Sequence, residues 1–360
     1  MSSRLYRAIG LMSGTSMDGI DAALIETDGE DHIRSLGFTS LPYDDETRGT
    51  IRAAIESALQ EQMPMDGAPY DALSRHLTML HAEAVGALGK PADIIGFHGH
   101  TLAHRPERGW TWQIGDGALL AQLVRIPVVD DLRSADVAAG GQGAPLLPAY
   151  HRALATDIGL PVGILNLGGV GNLSWLGESG QLIAFDTGPG NALIDDWVSE
   201  NTGKSYDKNG ALAAAGNVRQ DVLTNMLDLE WFDRPPPKSL DRCDFTISAV
   251  RGLTIEDGAA TLAAFTAETV QLALSHVPET PSRILVTGGG RHNPALMHMI
   301  AARTGLAVAP VEEEGWNGDA MEAEGFAWMA VRHLRGLPTS FPEISGPKQP
   351  VVGGKLHAPN

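Results

Sequence analysis

The chain opens on apolar positions that are continuous rather than periodic: "RAIGLM" (7–12) reads as a short buried strand. A knot of small and polar residues follows, with Ser13, Gly14, Thr15, Ser16, Asp18 and Gly19 in close succession. The next apolar run, "IDAALIE" (20–26), meets the turn signal "TDGE" within about seven residues, short for a helix and ordinary for a strand. Strand–loop–strand is the predicted opening. A nucleotide P-loop is excluded, because it needs a following helix and a Gly-Lys-Ser/Thr that is absent here.

Helical spacing takes over in "ETRGTIRAAIESALQ" (46–60) and in "YDALSRHLTMLHAEAVGALG" (70–89), where Leu73, Leu77, Leu80 and Val85 share one side. Strand character returns at "ADIIGFHGHTLAH" (92–104), and residues 109–136 read as strand, glycine turn, helix, strand. The opening pattern then recurs: "PVGILNLGGVGNLSWLG" (161–177) is again strand, glycine loop, strand, followed by a third strand, "QLIAF". "DTGPGNALIDDWVSENTG" (186–203) places Asn191 as the cap of a helix running through Trp197. "RILVTGGGRHNPALMHMIAARTG" (283–305) is strand, triple-glycine turn, helix. Two similar openings about half a chain apart suggest an internally duplicated protein of two α/β halves. The Pro-rich "FDRPPPKSLDRCDF" (232–245) reads as a surface connector rather than a domain linker, since the helical "LTIEDGAATLAAFTAETVQLAL" follows soon after. The Pro/Gly-rich tail "FPEISGPKQPVVGGKLHAPN" is expected to be extended and superficial or partly loose.

Composition sharpens this picture at three points. Glycine is in excess, 42 of 360 residues against a usual ~7%, and it clusters just after apolar runs, where bare backbone admits a ligand closely. The net charge of −18 argues against a nucleic-acid partner while leaving a small anion open, because local amides can override global charge. Cys243 is the one cysteine, so neither an intrachain disulfide nor a cysteine-built zinc site is available. With no signal-like N-terminus and no run near the roughly 18 apolar residues of a membrane span, the expected location is the cytoplasm, away from membranes.

Taken together, "GLMSGTSMDGIDAAL", "GFHGHT", "QIGDGA", "DLRSADVAAGGQGAPL", "NLGGVGNLS", "FDTGPGN" and "TGGGRHNPAL" resemble the anhydro-N-acetylmuramic acid kinase family of the sugar kinase/actin/Hsp70 superfamily. The resemblance implies an α/β fold of two actin-like (ribonuclease H-like) domains around a central nucleotide and sugar cleft. The expected division is 1–134 with the tail 337–360 as one domain, and 135–336 as the other. The implied activity is opening of the 1,6-anhydro bond of 1,6-anhydro-N-acetylmuramic acid with phosphorylation of O6, using ATP and Mg²⁺, in amino-sugar recycling. A homodimer is compatible with such a chain.

Site residues follow from the same resemblance. ATP is expected on Gly14, Thr15, Ser16, Met17, Asp18, Gly19, Ile20 and Asp21, on Gly168, Gly169, Gly171 and Asn172, and on Gly288, Gly289, Gly290 and Asn293. Glycine-rich loops suit that task because their amides reach phosphate oxygens unobstructed. Asp186 closes an apolar strand and precedes a small-residue turn, and the resemblance makes it the base that takes a proton from water attacking the anomeric carbon. Asp18 and Asp21 are the candidates for Mg²⁺, which favours few protein ligands and several waters. Arg133 is expected on the lactyl carboxylate, with a salt bridge to Asp130, Asp131 or Asp136 as the competing reading. Glu322, Gly188 and Gly190 complete the expected sugar contacts, a solvated helix face being the competing reading for Glu322. His98, His100 and His104 lack a carboxylate or cysteine nearby to complete a metal set, and local hydrogen bonding is expected of them. Two alternatives stand beside this reading: a kinase of the same fold for another sugar or a carboxylate, and a non-catalytic ATP switch.

Overall fold

A computed structural model describes residues 4–359 apart from Thr15, Asp66 and Asp241, and apart from the side chains of Ala68 and Cys243. The expected nucleotide contact at Thr15 therefore lies outside the described residues.

The opening pattern folds as read. β1 (Tyr6–Ser13) and β2 (Gly19–Thr27) pair antiparallel, and β3 (Ile33–Pro42) extends the meander. β4 (Ile94–Arg105) returns parallel to β1, β5 (Trp110–Ile114) folds back on β4, and β6 (Val128–Asp130) runs parallel to β4. Lys355–His357 closes that edge antiparallel to β6. The strands alternate in what they meet. Ile9 and Leu11 join the core with Ile51, Leu73 and Leu77 from the helices Asp45–Ala58 and Ala68–Leu88. Gly10 and Gly96 instead meet the helix Met321–Leu334. A methyl on Gly10 would lie 1.6 Å from the carbonyl oxygen of Ala323, and one on Gly96 2.0 Å from that of Phe326. Only bare backbone lets the helix lie this close.

The second half repeats the plan. β7 (Val162–Leu167), β8 (Val170–Leu176) and β9 (Leu182–Pro189) form an antiparallel meander, and β10 (Arg283–Thr287) and β11 (Ala307–Pro310) add in parallel. Its strand order, β11-β10-β7-β8-β9, matches the order β6-β4-β1-β2-β3 of the first sheet. Three antiparallel strands followed by two parallel ones is the ribonuclease H-like plan, so the duplication legible in the two openings is realised as topology. Leu165, Phe185, Trp197, Phe265, Val286 and Ile300 are among the residues of the second core.

The chain divides into one compact unit of Met1–Asp157 with Ala320–Asn360 and another of Ile158–Asp319. These boundaries differ from 134/135 and 336/337 because the helices Pro148–Leu154 and Met321–Leu334 belong with the first sheet. The tail also departs from expectation. Thr339, Ser340, Ile344 and Ser345 are at most 1% exposed, and Ser340 bridges to Val351. Backbone pairing holds the tail in place, which is why side-chain periodicity is missing there. Among the described residues no helix is long and apolar enough to cross a membrane.

Candidate active site

In the second unit the functional candidates gather at one end of the sheet. Asp186 lies on β9 opposite Asn172 of β8, which lies opposite Asn166 of β7, itself beside Thr287 of β10. Directly paired positions put their side chains on one face, so the sheet carries a polar row four strands wide among otherwise apolar positions. Asp186 is half-buried. Burial pushes its carboxyl up to about 7, opposed by the backbone N–H of Leu240, which donates to Oδ2 at 2.8 Å. A carboxylate whose pKa sits near neutrality can accept a proton and give it up again at physiological pH.

The glycine loops of this unit converge beside that row. The amides of Gly190 and Asn191 donate to the carbonyls of Gly169 and Gly168 at 2.9 and 2.7 Å. Asn191 precedes the helix Ala192–Thr202, but its side chain does not cap it. Its amide instead donates to the carbonyl of Leu167 at 3.0 Å, tying the helix entry to the β7–β8 loop. A methyl on Gly290 would lie 2.5 Å from Leu167 and 3.1 Å from the Asn191 amide, and one on Gly288 2.3 Å from Asn166, so the triple-glycine turn packs into the same cluster. Gly190 is equally constrained, 2.2 Å from the Gly168 carbonyl, and Gly188 approaches Thr269. Gly168 and Gly169 are freer, with nothing closer than 3.7 Å, and Gly169 is exposed. Gly171 sits against Thr187. Asn293 turns its side chain inward to cap the helix Pro294–Thr304, accepting from the Leu296 amide at 3.0 Å.

The first unit carries the other candidates. In the first loop the Met17 amide closes a turn on the Gly14 carbonyl, and the Asp18 carbonyl accepts from the Tyr43 amide, both at 3.0 Å. Ser16 and Asp18 are exposed, and Met17 and Asp21 half-buried. Ile20 is fully buried in the core, so its side chain is committed there. Gly19 is bare because β3 runs against it: a methyl would lie 2.3 Å from the Leu41 carbonyl. Behind the loop, Ser13 Oγ hydrogen-bonds both Tyr43 Oη at 2.7 Å and His100 Nδ1 at 2.8 Å, all three side chains being buried. Burial holds His100 down at about 4, so it is neutral at pH 7.

Arg133 and Glu322 are brought close enough for Glu322 to act on the guanidinium charge. Arg133 Nε donates to His98 Nε2 at 3.0 Å and Nη1 to the Gly143 carbonyl at 2.8 Å. His98 hydrogen-bonds the Gly99 carbonyl through Nδ1 at 2.9 Å. A carbonyl only accepts, so Nδ1 bears the proton and Nε2 offers its lone pair to Arg133. Burial first, and the Arg133 charge second, hold His98 well below its usual range. Burial also lowers Arg133 to about 10, which leaves it cationic. The three aspartates weighed as its partners hydrogen-bond elsewhere, Asp130 to His357 at 2.9 Å, Asp131 to Lys355 at 2.8 Å, and Asp136 to the Gly143 amide and Ser345 Oγ at 2.6 and 2.8 Å, while the Asp136 charge still acts on the guanidinium. His104 hydrogen-bonds Thr111 at 2.8 Å. Of the three histidines, only His104, and His98 through Nδ1, bond near in sequence; His98 also meets Arg133 and His100 meets Ser13 across the fold.

Sequence reasoning had missed Ser13, Tyr43, Asn166, Thr287 and the Leu240 amide. Asn166 and Thr287 carried a readable signal, each being polar at the end of an apolar strand beside a glycine turn. Tyr43 and Leu240 carried none, since their places depend on tertiary pairing.

Comparison with known proteins bears on this arrangement over nearly its whole length. The family model described as anhydro-N-acetylmuramic acid kinase matches residues 6–359. Proteins named anhydro-N-acetylmuramic acid kinase from Rhizorhabdus wittichii and Zymomonas mobilis are 59% and 52% identical, covering 98% and 97% of this chain and 99% of each relative. One of the same name from Paramagnetospirillum magneticum is 50% identical over 98% of this chain and 99% of its own. Two ribonuclease H-like units and a match from end to end make the chain a member of the anhydro-N-acetylmuramic acid kinase family.

Proposed function

We propose that the protein opens the 1,6-anhydro bond of 1,6-anhydro-N-acetylmuramic acid and phosphorylates O6 at the expense of ATP. Asp186 takes a proton from water as the water oxygen attacks the anomeric carbon. The bond from that carbon to O6 breaks, O6 attacks the γ-phosphorus, and ADP leaves. Water, anhydrosugar and ATP thereby give N-acetylmuramate 6-phosphate, ADP and one proton. The observation that supports this most is the Asp186 carboxyl, raised to about 7 by burial, since a base must be ionised yet basic enough to accept a proton near neutrality.

For the phosphates, the first unit offers amides of the Gly14–Asp21 loop, and the second offers those of the Gly168–Gly171 and Gly288–Gly290 turns. Gly14, Gly168, Gly169 and Gly289 suit this, since no atom lies closer than 3.6 Å to a methyl placed on any of them. Asn293 shapes the turn beside them, its side chain engaged in the helix cap and its backbone N–H on the Gly290 carbonyl. Arg133, charged and fixed by His98 and Gly143, takes the lactyl carboxylate, with Glu322 beside it on the sugar side. The exposed Asp18 and half-buried Asp21 offer hard oxygen donors for a Mg²⁺ that keeps most of its waters and binds phosphate. When bound, that ion neutralises charge developing on the transferred phosphoryl group.

The test is ADP release in the presence of ATP, Mg²⁺ and the anhydrosugar. Release that depends on the sugar is expected, and release that ignores it, or none, rejects the reading.

A further inference from the structure

We propose that the proline-rich connector is a positioning element for Asp186: its Leu240 amide holds one carboxylate oxygen, so that the other is the oxygen presented to water. The proposal rests on the reading of Asp186 as the base. Two backbone hydrogen bonds lash the connector to that residue. The Asp186 amide donates to the Lys238 carbonyl at 3.1 Å, and the Leu240 amide donates to Asp186 Oδ2 at 2.8 Å. β9 is the edge strand of its sheet, and the connector meets that edge at the Asp186 amide.

The connector's sequence suits the task. Pro235, Pro236 and Pro237 restrict the backbone just before the segment and have no N–H of their own, so the first amides available to Asp186 are those of Lys238, Ser239 and Leu240. The far end is anchored as well. Lys238 Nζ donates to the Phe232 carbonyl at 2.9 Å and lies 4.5 Å from the centre of the Trp231 ring. A donor fixed before the reaction needs no reorganisation during it. A donor on Oδ2 draws electron density towards it and fixes the plane of the carboxylate, which leaves Oδ1 as the more basic oxygen and the one we assign to proton transfer.

Charges on the surrounding elements are engaged elsewhere. On β8, Asn172 is neutral; on the connector, the Lys238 ammonium is on Phe232. The helix Ile255–Ala273 contributes Thr266 and Thr269, while its Glu268 pairs with Arg303 at 2.7 Å. His276 bonds the Phe232 carbonyl at 2.8 Å, and Arg242 pairs with Asp196 at 2.8 Å. The Leu240 N–H is thus the counterweight to burial at this carboxylate.

The experiment is the pH dependence of kcat/KM for the anhydrosugar in Leu240→Pro and in a variant with a backbone ester at 240, both lacking the N–H, with Leu240→Ala as the control that keeps it. A hydrogen bond to a charged group is worth about one pH unit. The acid limb should therefore move up by about that much in the first two, lowering the rate about fivefold at pH 7 and restoring it above about pH 9. Titration of the ¹³C-labelled Asp186 carboxyl should move with it, and the control should not move. A loss equal at all pH values, or an unmoved limb and carboxyl titration, overturns the proposal. Proline also restricts Ser239, so the ester variant decides the matter if Leu240→Pro does not fold. Asp186→Asn separates the two readings. Activity retained there rejects the base itself, whereas an inactive Asp186→Asn with an unmoved limb in the ester variant rejects only the connector's role.

Discussion

The Asp186 side chain, proposed above as the base, sits where burial raises its pKa and so costs stability near neutrality. Its folded pKa, about 7, lies above that of an exposed aspartate, so the folded chain binds a proton that the unfolded chain has released. Stability from this group is complete at low pH and is lost as pH rises towards 7 and beyond. Asp186→Asn should therefore abolish turnover yet raise stability at pH 8 by about 1–2 kcal/mol, the full shift being discounted for the partial exposure of the carboxylate. Thermal unfolding of both proteins checks this: the gain should shrink as pH falls from 8 to 5, and a gain independent of pH would contradict it. Asp186 stood out in the sequence because it closes an apolar strand before "TGPGN" in a motif the resemblance singles out, an Asx turn being the competing reading. Its partner did not, because an amide hydrogen is carried by every residue but proline and Leu240 has no letter that announces it. Asn191 shows the reverse error. Its identity suggested a helix cap, and the close approach of the β7–β8 loop drew the side chain to the Leu167 carbonyl instead.

At the scale of elements, most strands and helices were legible from period alone, since continuous apolar runs bounded by glycine turns were buried strands in both halves. β3 was not, because a strand exposed along much of its length, "IRSLGFTSLP", has no clean alternation to read. The helix Met321–Leu334 was legible as a helix but not as a member of the first unit. What assigns it there is contact with Gly10 and Gly96, some 230 residues or more earlier in the chain. Those contacts leave no room for a methyl. Gly96→Ala should destabilise the first unit by about 3 kcal/mol or more, because the helix must lift or the strand shift. A urea midpoint close to that of the unmutated protein would show that the helix is not seated so tightly.

At the scale of the whole molecule, the duplication is evident in strand order and almost invisible in residue identity, since the two halves share a plan of pairing rather than a set of side chains. The second unit is one continuous segment with its own core, whereas the first is assembled from both ends of the chain. Ile158–Asp319 expressed alone should therefore unfold cooperatively on heating, and Met1–Asp157 alone should not. Circular dichroism melts of the two fragments would show it, and adding Ala320–Asn360 to Met1–Asp157 should restore a transition.

The late arrival of the helix Met321–Leu334 also has a consequence in time. A ribosome must make the 162 residues from Ile158 to Asp319 before the helix that covers β1, β2 and β4 can appear, a wait of roughly 10–30 s at about 5–20 residues per second. For that interval the nascent first unit presents an uncovered apolar face, while its neighbour is free to finish folding. The order of completion during synthesis is thus the reverse of the order in the gene.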